Sequence, residues 1–217
     1  MPRSAAKTGR PARISAAGIL AAARAILERD GVSGLTMRKV ATEVGTTPMA
    51  LYHHVRNKDE LLLLLLDDYA DAIPRPALPE APRERILVVA RAMHDALAEC
   101  PWIVEVLVAD DLVARSGLWY SEHIVRACLD LGFDAERAVA TYRGIWYFTA
   151  GEIIVRASAT RRREAENTTT YRDRLFADLD AEAFPTLAAL GSDWARLTSR
   201  DTYPVGLHAL IDGLLAG

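Results

Sequence analysis

The apolar residues of the chain recur at the three- and four-residue spacing of amphipathic helices. Ile19, Ala23 and Ile26 follow this spacing near the N-terminus, and Leu207 and Ile211 follow it near the C-terminus. Such a period gives each helix one apolar side that packs against a core. No stretch of convincing length alternates apolar and polar residues, as a half-buried strand would. The pattern therefore predicts an all-α protein.

A cluster of prolines divides the predicted helices into two groups. Four of the ten prolines lie within nine residues, at Pro74, Pro76, Pro79 and Pro82, and proline breaks a helix interior. The first group of helices is predicted near 15–30, 37–44, 48–54 and 58–72. The second group is predicted near 83–98, 102–114, 117–131, 135–159, 171–180, 185–198 and 204–215. We therefore expect a flexible basic arm over 1–13, a first domain over 14–73, a linker over 74–82 and a second domain over 83–217.

The residues between the second and third predicted helices form a very short turn. Gly45 suits the left-handed conformation that ends a helix, and Thr47 and Pro48 suit the cap and the first position of the next helix. Thr36 can cap the second helix in the same way. Two short helices joined by so brief a turn must cross steeply, which indicates a helix-turn-helix.

The third helix has a buried side and an exposed side when it is projected at about 100° per residue. Leu51 and Val55 share the buried side. The opposite side carries an aromatic ring, hydrogen-bonding groups and a cation, which suit base edges and phosphates; it consists of Met49, Tyr52, His53 and Arg56. His54 projects only about 60° from Leu51, so burial or capping is as good an interpretation for it as DNA contact.

The fourth helix begins with a variant of the capping box. Asn57 is followed three residues later by Glu60, which is the spacing at which side chains and backbone amides cap each other. Lys58 then lies at a helix N-terminus, where backbone amides favour a phosphate. We predict a phosphate contact for Lys58.

Charge is distributed unevenly along the chain. Residues 1–60 contain ten Lys or Arg against five acids, a net charge of +5, whereas the whole chain carries −3. A basic segment on an acidic body indicates a polyanionic partner for that segment, although a solvated basic surface is the alternative.

Several classes of function find no support in the sequence. Leu61–Leu66 is too short to cross a bilayer, and Cys100 and Cys128 form neither a metal motif nor a disulfide framework. No HExxH, GxSxG or GxxxxGK[ST] string is present. We expect a cytoplasmic protein that is not an enzyme, with no cofactor, no metal and no membrane partner.

Residues 14–66 resemble the DNA-binding domain of the TetR family of repressors. The resemblance rests on Ile19-Leu20-Ala21-Ala22-Ala23, on Gly31-Val32-Ser33-Gly34-Leu35-Thr36-Met37-Arg38-Lys39-Val40-Ala41 and above all on Ala50-Leu51-Tyr52-His53-His54-Val55-Arg56-Asn57-Lys58-Asp59-Glu60-Leu61-Leu62. It implies DNA contacts at Arg38, Thr47, Met49, Tyr52, His54 and Lys58. Together with the projected face, the predicted DNA-binding residues are Arg38, Thr47, Pro48, Met49, Tyr52, His53, His54, Arg56 and Lys58. Gly9, Arg10, Pro11 and Arg13 resemble the basic arms of some members, or form a solvated tail.

The second domain resembles the C-terminal domain of the tetracycline-repressor type. In that type the long helix and the terminal helix of two subunits form a four-helix bundle, which implies a homodimer. The long helix carries small residues at Ala140, Gly144, Gly151 and Ser158. Each glycine inside a helix destabilises it by about 1 kcal/mol relative to alanine. Two such glycines therefore suggest that another helix approaches closely there.

Aromatic and polar residues of the second domain are candidates for a ligand pocket. They are Trp102, Trp119, Tyr120, His123, Tyr142, Arg143, Trp146 and Tyr147. The alternative is that most of them are ordinary core. Arg143 and Glu152 are charges in an otherwise apolar helix, and they indicate a structural ion pair, a dimer contact or a polar anchor for the ligand.

The sequence thus predicts an N-terminal three-helix helix-turn-helix domain followed by a larger helical domain that dimerises and binds a ligand. We expect a repressor that leaves a palindromic DNA operator when a small apolar or aromatic effector binds. The alternatives are a regulator that binds DNA without an effector and a helical enzyme.

Overall fold

The computed structural model describes residues 15–109, 112–166 and 170–216. Within these residues every regular element is an α-helix except one short 3-10 turn. The predicted basic arm, with Gly9, Arg10, Pro11 and Arg13, lies outside the described residues. The described chain forms two compact units, one up to Ala72 together with Val106–Arg115, and one from Ile73 to Glu105 together with Ser116 onwards. The all-α prediction is confirmed.

The first unit contains four helices in the predicted places. They are α1 (Ala16–Gly34), α2 (Met37–Val44), α3 (Pro48–Tyr52) and α4 (Lys58–Ala72). Helix α1 contacts α2 and α4, and α2 contacts α3. The apolar period found in the sequence supplies the core, since Ile19, Ala23, Ile26, Leu51 and Leu61 are all buried.

The second unit is built around a layer of long helices. Its elements are α5 (Pro82–Glu99), α6 (Pro101–Ala109, whose last residues belong to the first unit), α7 (Leu118–Asp130), α8 (Ala135–Glu166), α9 (Tyr171–Ala177), α10 (Pro185–Leu190), a 3-10 turn (Gly191–Asp193), α11 (Trp194–Thr198) and α12 (Tyr203–Ala216). Helix α5 packs on α7, α8 and α12. The core they share includes Ile86, Val89, Ile124, Ile145 and Leu207.

Helix α8 is longer than the sequence predicts. The prediction ended it at 159 and treated Arg161, Arg162 and Arg163 as a solvated connection, whereas α8 continues to Glu166. The Arg161 guanidinium donates to Glu105 Oε1 at 3.3 Å, and arginine is both a good helix former and favourable near a helix C-terminus. That prediction was wrong because it took a run of like charges as a sign of irregular structure.

The predicted helix over 185–198 is divided in the middle. Gly191 separates α10 from α11, and a side-chain carbon added there would lie 2.2 Å from the Phe176 carbonyl oxygen. The backbone of α9 thus approaches so closely that only glycine fits.

No helix in the described part of the chain is long and apolar enough to cross a membrane.

Candidate nucleic-acid interface and ligand-domain core

Both ends of the turn between α2 and α3 are capped as the sequence predicts. A backbone N–H of α2 donates to the Thr36 hydroxyl at 3.2 Å, and Gly45 ends α2 in the left-handed conformation with φ of 74°. A backbone N–H of α3 donates to the Thr47 hydroxyl at 3.2 Å, and Pro48 lies in the first turn. These contacts satisfy groups that a helix end leaves without partners. Helix α3 therefore begins at a defined residue and in a defined direction.

Helix α3 is anchored through its buried side. Leu51 is fully buried, Val55 just beyond the helix is nearly so, and Val40 and Ala41 of the contacting helix α2 are buried as well. Burying a large apolar side chain stabilises a fold by about 1.5–3 kcal/mol. Rotation of α3 would expose Leu51, so the outward direction of the opposite side is fixed.

The opposite side of α3 presents the predicted recognition residues to solvent. Met49 is 70% exposed and Tyr52 is 44% exposed, so both large side chains are available to a partner. The remaining predicted residues are exposed too, except Lys58, which is half-buried; they are Arg38, Thr47, Pro48, His53, His54 and Arg56. His54, whose burial was left open, is exposed. We call the set Arg38, Thr47, Pro48, Met49, Tyr52, His53, His54 and Arg56 the recognition face.

Arg56 is paired with Glu60 of α4. Its Nη2 lies 3.1 Å from Glu60 Oε1, and its backbone N–H donates to Glu60 Oε2 at 2.5 Å. The Glu60 N–H donates to Asn57 Oδ1 at 2.8 Å. The cap at α4 therefore differs from the predicted one, because the Glu60 carboxylate reaches the amide of Arg56 instead of that of Asn57. Hydrogen bonds from Arg56 lower the pKa of Glu60.

Lys58 ties the start of α4 to the end of α1. Its Nζ donates to the Val32 carbonyl oxygen at 3.1 Å. An ammonium group has three N–H donors, so this bond leaves capacity for a phosphate oxygen. The structure therefore gives Lys58 a positioning role in addition to the predicted contact.

Three of the predicted ligand-binding residues lie together at the start of α7. The Trp119 ring contacts the rings of Tyr120 and His123, with centroids 5.2 and 4.6 Å apart. The Arg75 guanidinium lies 4.9 Å from the Trp119 centroid and 5.1 Å from that of Tyr120, and it donates to the Ser116 carbonyl at 2.9 Å. Burial raises the pKa of Tyr120, with Arg75 acting in the opposite direction.

The other buried candidates lie in the core of the second unit. Tyr142 and Trp146 of α8 pack against the core around α5 and α7, and burial raises the pKa of Tyr142. Trp102 of α6 is buried, and its Nε1 has no hydrogen-bond partner among the described residues. A buried donor without an acceptor costs about 1–3 kcal/mol, so Trp102 is a position where a bound molecule could contribute an acceptor.

Arg143 and Tyr147 face away from this core. Tyr147 is 56% exposed and Arg143 is exposed as well, and the Arg143 guanidinium hydrogen-bonds to the Tyr147 hydroxyl. Both side chains are therefore exposed in this chain, whereas Tyr147 was predicted to line an apolar cavity and Arg143 to form an ion pair, a dimer contact or a polar anchor for the ligand. This exposure follows from the helical period, because their side of α8 is opposite the buried Ile145 and Thr149.

Sequence reasoning missed two residues with extensive contacts. Arg75 was passed over because it lies in the predicted linker. His94 of α5 bonds to Glu152 of α8 at 3.1 Å, and nothing in the sequence marks this pair because the two residues are 58 positions apart. Glu152 was singled out correctly as an unusual charge, but its partners are His94 and Arg156 rather than Arg143.

The helix-turn-helix and the long-helix unit each match a known family. Residues 19–65 match bacterial regulatory proteins of the tetR family. Residues 75–217 match the tetracyclin repressor-like C-terminal domain. The chain belongs to the TetR family. It is a DNA-binding transcriptional regulator of that family, as the sequence predicts.

Relatives of this TetR-family chain resemble it over nearly its full length. The transcriptional repressor DrrR1 of Streptomyces coeruleorubidus is 28% identical and aligns with 90% of this chain and 75% of its own. The structure of Streptomyces coelicolor ActR in complex with actinorhodin is similar with a TM-score of 0.72 at 26% identity, over 95% of this chain and 97% of that one. The structure of BioQ with its double-stranded DNA operator is similar with a TM-score of 0.64 at 26% identity, over 94% of this chain and 100% of that one.

Proposed function

We propose that this regulator represses transcription by binding a palindromic operator as a homodimer, and that a small apolar or aromatic effector releases it. The observation that carries the proposal is the recognition face, where Met49 and Tyr52 are exposed on a helix whose other side is anchored by Leu51. BioQ, a similar protein, has been crystallised with its DNA operator. We place the regulator in the bacterial cytoplasm, where its proposed operator would be, and we propose no catalytic activity for it.

Two copies of the recognition face are needed for sequence specificity. A five-residue helix such as α3 reaches only a few base edges. A dimer places two such helices in successive major grooves, about 34 Å apart on a palindromic site. Arg38, Arg56 and Lys58 supply phosphate contacts, which position the protein without reading sequence.

An exposed apolar stripe on α8 and α12 supports the dimer. Tyr147, Val155 and Val205 are 56%, 64% and 75% exposed. Ala140 and Gly151 lie on the same side of α8 and are exposed as well, so another helix can approach closely there. We call Ala140, Arg143, Tyr147, Gly151, Val155 and Val205 the dimer face.

The ligand site is proposed in the core of the second unit, near the cluster of Trp119, Tyr120 and His123. Buried aromatic side chains with few polar groups are the usual lining of small-molecule sites. The unpartnered Nε1 of Trp102 favours an effector that carries an acceptor oxygen. ActR, whose fold is similar, has been crystallised with actinorhodin. Release requires only that the effector bind better to a conformation in which the two recognition faces no longer match the operator.

Binding of the purified protein to DNA around its own gene tests the proposal. We expect a protected palindrome in footprinting and a mobility shift that weakens as salt rises, because phosphate contacts release counterions. Failure to bind any fragment, including sequences selected from a random pool, would contradict the DNA-binding function.

A thermal-shift screen of planar aromatic compounds distinguishes an effector-controlled repressor from a ligand-independent regulator. A compound that both raises the melting temperature and dissolves the protein–DNA complex supports effector control. Operator binding that no compound alters supports the ligand-independent alternative.

A further inference from the structure

Six groups of the second unit form a continuous series of contacts in which basic and acidic side chains alternate. In order they are Arg91, Asp95, His94, Glu152, Arg156 and Asp201. Successive contacts measure 3.4 Å from Arg91 to Asp95, 3.0 Å from Asp95 to His94, 3.1 Å from His94 to Glu152, 2.5 Å from Glu152 to Arg156 and 3.0 Å from Arg156 to Asp201. This series of contacts joins α5 to α8 and α8 to the segment that leads into α12.

His94 lies in the middle of this series and is its most enclosed member. Its side chain is 11% exposed and that of Glu152 is 16% exposed, whereas the outer members are about half exposed. The His94 ring stacks on Tyr203 of α12 with centroids 3.7 Å apart, and Tyr203 stacks in turn on Phe148 of α8. Interactions at His94 are therefore shielded from water and salt more than those at the ends.

Both ring nitrogens of His94 face carboxylates. Nδ1 lies 3.0 Å from Asp95 Oδ1 and Nε2 lies 3.1 Å from Glu152 Oε2. Ionised carboxylates only accept hydrogen bonds, and a neutral imidazole has only one N–H to donate. The two bonds can therefore form together only when the ring is protonated.

Besides His94, the series contains three carboxylates and two guanidinium groups. A protonated His94 therefore makes the series neutral, and an unprotonated His94 leaves it with a net negative charge. The Tyr203 ring of α12 stacks on His94, and the exposed His208 of α12 lines a groove beside Arg91 and Asp95. The Tyr203 hydroxyl is engaged with Thr149 Oγ1 at 2.8 Å and carries no charge at neutral pH.

We propose that His94 is a proton-controlled link between α5 and α8 that holds the second unit together in its protonated form and loosens it on losing the proton. Loss of the proton removes one of the two hydrogen bonds of His94, so Asp95 or Glu152 loses its charged partner. An ionised carboxylate without a partner destabilises the fold most where water is excluded. Stability from this link is present at acidic pH and is lost as the pH rises.

The effect would reach the parts of the chain that regulation uses. Glu152 lies one position from Gly151 of the dimer face, and Tyr203 begins α12 two positions before Val205 of the same face. Loosening of α5 from α8 and α12 would thus alter the helices that are proposed to dimerise. The inference about His94 itself rests only on contacts within one chain and does not depend on the proposed function.

Thermal unfolding of the full chain from pH 5.5 to 8.5 at constant ionic strength tests the link, because ordinary imidazoles titrate in this range. All four tryptophans lie in the second unit, so their fluorescence reports on it alone. We expect the wild-type melting temperature to fall with rising pH by about 2–4 °C more than that of His94→Gln. The control His208→Gln should keep the wild-type slope. Equal slopes for wild type and His94→Gln would overturn the proposal.

A second variant and a direct measurement guard against misfolding of His94→Gln. Glu152→Gln keeps the shape of the partner but removes its charge, and we expect it to flatten the slope as His94→Gln does; an unchanged slope counts against the link. Nitrogen-15 shifts of the His94 ring in wild-type protein should show both nitrogens protonated at pH 5.5, the acidic end of the range, because both face carboxylates. A ring with one unprotonated nitrogen at that pH would also overturn the proposal.

Discussion

At the scale of single residues, the recognition face depends on the contrast between two sides of one short helix. Leu51 is buried and Tyr52, its neighbour, projects into solvent. An exposed tyrosine combines a large apolar ring with a hydroxyl that can meet a base or a phosphate. Such a residue adds little to the stability of the free protein, so its removal should affect binding rather than folding.

Tyr52→Ala should weaken operator binding by about 5- to 150-fold, the range expected for loss of 1–3 kcal/mol. Helical content and dimer mass should not change, because the ring packs on no core. Fluorescence anisotropy with labelled operator measures the affinity. Leu64→Ala is the control, since Leu64 of α4 is equally exposed at 43% but lies outside the recognition face. Wild-type affinity for Tyr52→Ala would show that α3 is oriented differently on DNA.

Arg56→Ala should weaken binding to operator and to unrelated DNA alike and lower the salt slope of the affinity by about 1, as loss of one phosphate contact does. Stability should change little, because the pair with Glu60 is on the surface and such pairs contribute about 0–1 kcal/mol. Titrations at several salt concentrations measure the slope. A loss confined to the operator would instead assign Arg56 to a base.

At the scale of elements, the turn between α2 and α3 depends on one backbone conformation. Gly45 has φ of 74°, and a side-chain carbon added there would meet no atom within 4 Å. Backbone strain, and not steric clash, is therefore what excludes other residues. The caps at Thr36 and Thr47 then determine where each helix stops and starts.

Gly45→Ala should destabilise the first unit by about 1–2 kcal/mol, because an alanine in the left-handed region is strained. Gly45→Asn should cost less, since asparagine tolerates that region. Chemical unfolding followed by circular dichroism measures both. Equal losses for the two variants would mean that the turn changes its conformation to accept any side chain.

At the scale of the whole molecule, the proposed dimer face would account for the apolar residues that α8 and α12 carry on both sides. Leu207 and Ile211 of α12 are buried in the chain itself, whereas Val205 on the same helix is 75% exposed. The exposed apolar residues Tyr147, Val155 and Val205 lie on two helices that contact each other, and we propose that they form a protein interface. The proposed binding of an operator by two recognition faces would depend on that interface.

Val205→Glu should convert the dimer to a monomer and weaken operator binding, because the new charge would be buried without a partner. Light scattering after size exclusion measures the mass. Leu129→Glu is the control, since Leu129 is an exposed apolar residue of α7 outside the dimer face. A Val205→Glu protein that stays dimeric would place the interface elsewhere on the chain.

The sequence by itself determined the all-α class, the helix-turn-helix and the outward direction of Met49 and Tyr52. These follow from local physics, namely the period of apolar residues and the conformational preferences of Gly45, Thr47 and Pro48, which act within a few positions of each other. Its error at α8 arose from a local cue, because the run of Arg161, Arg162 and Arg163 was taken for irregular structure although the helix continues to Glu166.

Only the tertiary structure decided which aromatic and charged residues of the second unit meet. It brought Arg75 over Trp119 and Tyr120, and it brought His94 between Asp95 and Glu152. Helical period tells which side of a helix faces inwards, but partners on other helices depend on how the helices pack. A hydrogen bond between residues 58 positions apart leaves no local trace in the chain, so it becomes visible only when the helices are placed in space.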